Sequence, residues 1–419
     1  MDVHMNTTNK RSLLVMLAIF SATFILIVLR RPDIILNAQP WAEDGVVWMQ
    51  FIHNNGFLST IFYPQNGYYQ TISKLVFSFG LNFGVENAAL VANICAIAIR
   101  CFMVMFLLSS RLKSINIWYR FSLVVYFIMM PNIDEGYVNI TNAHWYLSIY
   151  LMLVIIADKA KTSLGILHDY IVLVISALSG PFIVFVAPCL IIKRIYERGG
   201  LMQAIKGINT FDTIAAVLTI IQILAIFTTS DGNRTSAPLG ASFYLLSNII
   251  NYRVVVGTFL DNVKSQPLSE LNILNALSFV LLFFSLVLFF IKGGEKLRIC
   301  MLFPVIMIAF SLAKPMMANQ SEQWPIFLIP GAGQRYFFIT NLFFFSFALY
   351  ILHKLSKGKS SPAIYLTILL IPLYASYFKI YPLKDVGYKE NIMKYYNLNQ
   401  GEKINILINP GWMFTLIKK

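Results

Sequence analysis

From Ser12 to Leu29 the chain runs without a charged residue, bracketed by Lys10-Arg11 and Arg30-Arg31, and apolar stretches of this kind recur through most of its length. Such a run matches the roughly 20 residues a helix needs to cross a bilayer. A water-soluble domain carries few of them, because its surface needs about a quarter of all residues charged. Here 12% of 419 residues are charged and 58% are apolar, with a mean hydropathy of +0.67. The pattern predicts an all-α polytopic membrane protein, since in lipid a helix satisfies its own backbone donors and acceptors. The first run exceeds the apolar core of a secretory leader and ends in Leu29-Arg30-Arg31 with no small-residue cleavage site, so it is expected to remain as the first span.

Punctuation by proline, glycine and charge predicts about eleven spans: residues 12–29, 87–109, 118–131, 144–157, 164–179, 181–192, 211–228, 271–291, 299–313, 336–352 and 362–376. An odd number places the termini on opposite sides. Alternate tips collect Arg111 and Lys113; Lys159 and Lys161; Lys193, Arg194, Arg198 and Lys206; Lys292, Lys296 and Arg298; and Lys354, Lys357 and Lys359. The positive-inside bias assigns these tips, with the N-terminus, to the cytoplasm. Nearly all of the formal charge of +14 lies there, so the basic balance reports topology and no nucleic-acid partner is expected. Arg30 and Arg31, on the outer end of the first span, depart from the bias and need another reason to be there.

The cytoplasmic connections are too short for a catalytic domain, which needs about 50 residues or more. The outer segments 30–86, 132–143, 229–270, 314–335 and 377–419 are substantial, so function is expected on that face. The organisation read from this is a multi-span domain over 1–376, whose first outer loop 30–86 carries interfacial helices at Val46–Phe57 and Thr71–Phe83, followed by an outer tail over 377–419. Cys95, Cys101, Cys189 and Cys300 all fall in apolar stretches and read as inert packing residues. No metal or other cofactor is expected, because His144 has no histidine or cysteine partner at ligand spacing.

Three outer clusters carry chemistry. In Trp41-Ala42-Glu43-Asp44-Gly45 two adjacent carboxylates repel, which raises the affinity of at least one for a proton and suits a general base; the alternative is an Asp44 that caps the following helix. Arg30, Arg31, Arg253 and Arg335 supply cations to the same face, and in Gln334-Arg335-Tyr336 a guanidinium at headgroup depth suits a phosphate, with lipid snorkelling as its alternative. Asn139, Asn142, His144 and Trp145 offer amides and an aromatic face for a sugar ring, with Asp134 and Glu135 close by. In the tail, Lys403–Trp412 partly alternates polar and apolar residues and predicts a strand and turn, where Trp412 either stacks on a pyranose or anchors at the interface.

An N-terminal span, a long acidic first outer loop with interfacial helices, many further spans and an outer tail resemble the GT-C class of integral membrane glycosyltransferases. Within it, Trp41–Gly45, Asn139–Tyr146, Gly333–Tyr336 and Ile404–Trp412 look like the bacterial and phage serotype-converting O-antigen glucosyltransferases. The resemblance implies transfer of a hexose, expected to be glucose, from a polyprenyl-phosphate donor to a lipid-linked O-antigen acceptor on the periplasmic face of the inner membrane. It implies Glu43 or Asp44 as base, membrane lipids as surroundings, and a donor synthase and flippase as functional partners. A transporter or flippase of lipid-linked sugars, or an O-antigen polymerase or ligase, are the competing readings.

Overall fold

The computed structural model describes residues 7–65, 67–229 and 236–419, with side chains from Leu13 onward. All eleven apolar segments are helical. In chain order the main helices are α1 (Thr7–Arg30), α2 (Thr71–Leu81), α3 (Val85–Leu108), α4 (Ile117–Met129), α5 (Ala143–Ile156), α6 (Ser163–Ala177), α7 (Ile183–Arg198), α8 (Thr210–Thr229), α9 (Phe243–Ile249), α10 (Asn272–Lys292), α11 (Glu295–Ala313), α12 (Phe338–Leu355), α13 (Ser361–Ala375) and α14 (Tyr388–Tyr396). Among the described residues six stretches are long and apolar enough to cross a membrane: Leu13–Arg30, Val85–Leu108, Thr210–Thr229, Asn272–Lys292, Glu295–Ala313 and Gln334–Leu355. The remaining predicted spans are helices too short to cross by length alone.

The reason is clearest in α5, where every residue from Ala143 to Ile156 is buried. A helix apolar on all sides belongs inside a bundle, and α5 is the axis around which α3, α6 and α7 pack. Its ends define two opposite faces. Just before its start, Thr141 meets the first loop; just past its end, Asp158 accepts from Arg111 Nε through its carbonyl at 2.5 Å and lies 3.7 Å from Lys296. Fourteen residues at about 1.5 Å each separate the two faces by roughly 20 Å.

The stretch 229–270, expected to be an outer loop, contains α9 and a π-helix, Ile250–Val256, that continues it. Its apolar character is masked in sequence by asparagines that face α10: Asn248 Nδ2 donates to Asn272 Oδ1 at 2.6 Å, and Asn275 Nδ2 returns a bond to Asn248 Oδ1 at 2.9 Å. Paired amides satisfy one another between helices and so tolerate burial.

The tail is not a separate body. Its predicted strand is half of an antiparallel hairpin, β1 (Lys403–Ile408) and β2 (Trp412–Ile417), in register from Lys403 opposite Ile417 to Ile408 opposite Trp412. The expected first interfacial helix is broken into a π-helix, Asp44–Met49, an α-helical turn, Gln50–Asn55, and, past Gly56 at φ +86°, a further short helix, Phe57–Ile61. On one face of this helix, Gln50 and Asn54 act as a surrogate strand for β2: Gln50 Oε1 accepts from Thr415 N at 2.6 Å, while Asn54 donates to Thr415 O at 2.9 Å and accepts from Ile417 N at 3.2 Å. The pairing blunts an otherwise open strand edge.

Candidate functional site

The residue before the acidic pair sets its geometry. Ala42 is buried in the left-handed region at φ +44°, a position L side chains rarely adopt, and its amide donates to Asn409 O at 2.7 Å. The tail hairpin thereby anchors the turn that presents Glu43 and Asp44. Ile408 and Phe414 close over Gly45, where an added Cβ would fall 2.5 Å from the Ile408 side chain.

Asp44 is 2% exposed, and its Oδ1 accepts from the Thr141 amide at 2.9 Å, immediately before α5. The carboxylate thus reaches across to the next outer loop, and Trp48 Nε1 braces the contact by donating to Thr141 Oγ1 at 3.0 Å. Burial holds the Asp44 carboxyl well above the usual carboxylate range; the Thr141 amide opposes this, and the charge of Glu43 adds to it. Mutual repulsion, which the sequence suggested as the cause, is therefore secondary to desolvation. Glu43 is half-buried beside it.

The loop between α4 and α5 ties most of the remaining candidates together. Near its start, Arg30 Nε, Nη1 and Nη2 donate to the carbonyls of Phe378, Ile128 and Met130 at 2.8, 2.6 and 2.7 Å. This supplies the reason for an outer-end arginine that the positive-inside bias left open. Arg30 caps the C-terminal carbonyls of α4 and pins the tail, a structural staple and not the free phosphate ligand expected from sequence. Arg31 is 5% exposed with Nε 3.6 Å from Asp33.

Farther along the loop, Gln334 Oε1 accepts from Glu135 N and its Nε2 donates to Asp134 Oδ2, both at 3.1 Å. Arg335 forms an ion pair with Glu135, which also accepts from the Arg335 amide at 3.2 Å, and its guanidinium lies 4.8 Å from the centre of the Tyr336 ring. Arg335 keeps 30% of its side chain exposed, so a phosphate reaching it would compete with Glu135. Tyr336 OH accepts from Met316 N at 3.2 Å. Glu135, beside the amide and aromatic cluster in sequence, is the ion-pair partner of Arg335, and the acidic Asp134-Glu135 on the same face as Arg335 is the sequence signal for that pairing.

The amide and aromatic cluster is more structural than expected. Asn139 Oδ1 accepts from Asn142 N and Nδ2 at 3.1 and 2.7 Å, closing the turn into α5. His144 is buried, its ring stacked on Phe182 at 5.2 Å, and Trp145 is packed between Phe182 at 4.7 Å and the edge of Tyr336 at 6.1 Å. No face of Trp145 is open to a sugar in this arrangement, because aromatic neighbours occupy it. The cavity that Trp145 shares with Asn142, Gln334 and Arg335 holds about 10 Å³, room for a single water. Arg253 is also a staple: Nη1 donates to Phe327 and Ile329 carbonyls at 3.3 and 3.2 Å, and Nη2 to Ala332 O at 2.6 Å, which shapes the approach to Gln334. Trp412 is 44% exposed at the hairpin turn, the position from which a side chain can meet a ligand.

With fold and site in view, the class the chain defines is that of a helical protein with, among the described residues, six helices long and apolar enough to cross a membrane. No family model matches it, and comparison with curated proteins and with solved structures likewise yields no match.

Proposed function

We propose that the protein is an inverting membrane glycosyltransferase. It moves a hexose from a polyprenyl-phosphate donor to a lipid-linked glycan, with its site on the periplasmic side of a bacterial inner membrane. The observation that carries this reading is Asp44: a desolvated carboxyl with raised proton affinity, seated on a strained turn of a loop outside the apolar spans. A carboxylate whose pKa is raised by burial is a stronger base and withdraws the acceptor hydroxyl proton more effectively. Arg335, exposed over nearly a third of its side chain beside Glu135, stabilises the leaving phosphate, since charge-assisted guanidinium–phosphate bonds are about twice as strong as neutral ones. Exposed Trp412 offers a ring face to the acceptor sugar.

Opposite-face attack by the deprotonated hydroxyl displaces the lipid phosphate and inverts the anomeric centre. The test is analysis of surface polysaccharide from cells with and without the gene. One added hexose branch, lost in Asp44→Asn at unchanged protein level, is the expected result. A change in glycan chain length without a new branch would point to a polymerase or ligase and overturn the reading.

A further inference from the structure

A half-open cavity of about 600 Å³, lined by α9–α12 and the inner ends of α3–α5, runs from the end of the bundle opposite Asp44 towards Leu312 and Thr340. Its walls are apolar, with Leu282, Phe283, Val305, Ile308, Phe343 and Phe347 among them. An apolar void of this size does not hold water favourably, because water there has no polar partners. Along α11 the lining runs from Lys296 to Leu312, roughly 24 Å at helical rise, longer than the roughly 15 Å half-thickness of a bilayer hydrocarbon core. A lipid chain fits this shape.

The charged groups of the cavity, Arg120 and Lys296, gather at one end. Arg120 is 7% exposed; its Nη1 donates to Leu107 O and Ser109 O at 3.2 and 2.7 Å, while its Nε has no partner among the described residues. Lys296 stands at the same mouth, with Nζ donating to Ser114 Oγ at 2.9 Å and lying 3.7 Å from the Asp158 carboxylate as an ion pair, and its side chain 44% exposed. A buried guanidinium with no carboxylate paired to it among the described residues is costly to leave uncompensated. A phosphodiester would supply the missing anion.

We infer that this cavity is a binding site for one anionic phospholipid, with its phosphate at Arg120 and Lys296 and an acyl chain laid along α11 and α12. The charged mouth of the site lies at the end of α5 remote from Asp44 and the inference does not depend on the proposed reaction, so its test reads lipid and not sugar transfer. The protein is purified in mild detergent and examined by native mass spectrometry, alone and after addition of phosphatidylglycerol or phosphatidylcholine. One phosphatidylglycerol should be retained in preference to phosphatidylcholine. Its apparent affinity should fall about tenfold in Lys296→Ala and in Ala309→Trp, which fills the cavity from an exposed lining position. Arg120→Ala should behave alike, but Arg120 also holds two helix-end carbonyls, so the other two variants decide the matter if it fails to fold. Equal retention of the two lipids, unchanged retention in both Lys296→Ala and Ala309→Trp, or a polyprenyl phosphate occupying the site instead would overturn the inference.

Discussion

Asp44 is subject to two opposed demands, and its pH behaviour follows from both. Its folded pKa lies above 3.8 because burial penalises the carboxylate. A carboxyl with a raised folded pKa contributes stability that is complete below about pH 3.8 and is lost as pH rises through the folded value. As a base, however, it works only above that value. The first prediction is therefore paired: transfer should rise with pH along a limb set above the ordinary carboxylate range, while thermal stability falls over the same window. In Asp44→Asn transfer should drop about 10²–10⁴-fold and the stability decline should flatten. Melting curves against pH in detergent, compared with transfer by the wild-type chain, check both. The candidate pair was legible because two acids stood alone among aromatics. Its electrostatics were not, because the burial of this turn involves contacts distant in sequence, with Thr141 bonded to Asp44 and Ile408 and Phe414 packed over the adjacent Gly45.

Elements, in this chain, are joined end to end by side chains that donate to main-chain carbonyls. Arg30 links α1, the end of α4 and the segment after α13, and Ile380 N returns a bond to Arg30 O at 2.9 Å. Arg30→Ala should cost about 3 kcal/mol or more, since two buried carbonyls and one half-buried carbonyl lose a charged donor; a lowered melting temperature with transfer partly kept in the surviving fraction is expected. The hairpin is held differently. Replacing both Gln50 and Asn54 by Ala removes three bonds to β2, about 2–3 kcal/mol in sum. Limited proteolysis should then cut between Lys403 and Lys419 much faster, with α1–α13 unchanged. The sequence marked the strand by alternation and the helices by apolar runs. It hid α9, because Asn248 and Asn251 read as surface residues until their partners Asn272 and Asn275 are seen.

At the scale of the whole molecule, the outer loop and the tail form one layer on one end of the bundle, and the basic tips lie at the other. Leu383 N, Val386 N and Lys384 O bond to Asp33, Gln39 and Asn409, so the tail crosses the first loop before returning as the hairpin over Asp44. The legible part was the division into two faces, because it follows from where apolar runs stop and which charges flank them. The contact between tail and first loop was not, because no local pattern encodes a pairing across more than 300 residues. The last prediction tests which face is which. Tyr381, 90% exposed on the tail layer, and Lys357, on the exposed turn between α12 and α13, are each changed to cysteine with the four native cysteines replaced by alanine. A membrane-impermeant thiol reagent, applied to spheroplasts, should label Tyr381→Cys directly and Lys357→Cys only after permeabilisation. The reverse pattern would place Asp44 in the cytoplasm, where a lipid-phosphate donor arriving from the periplasmic leaflet could not reach it, and the proposed chemistry would have no substrate.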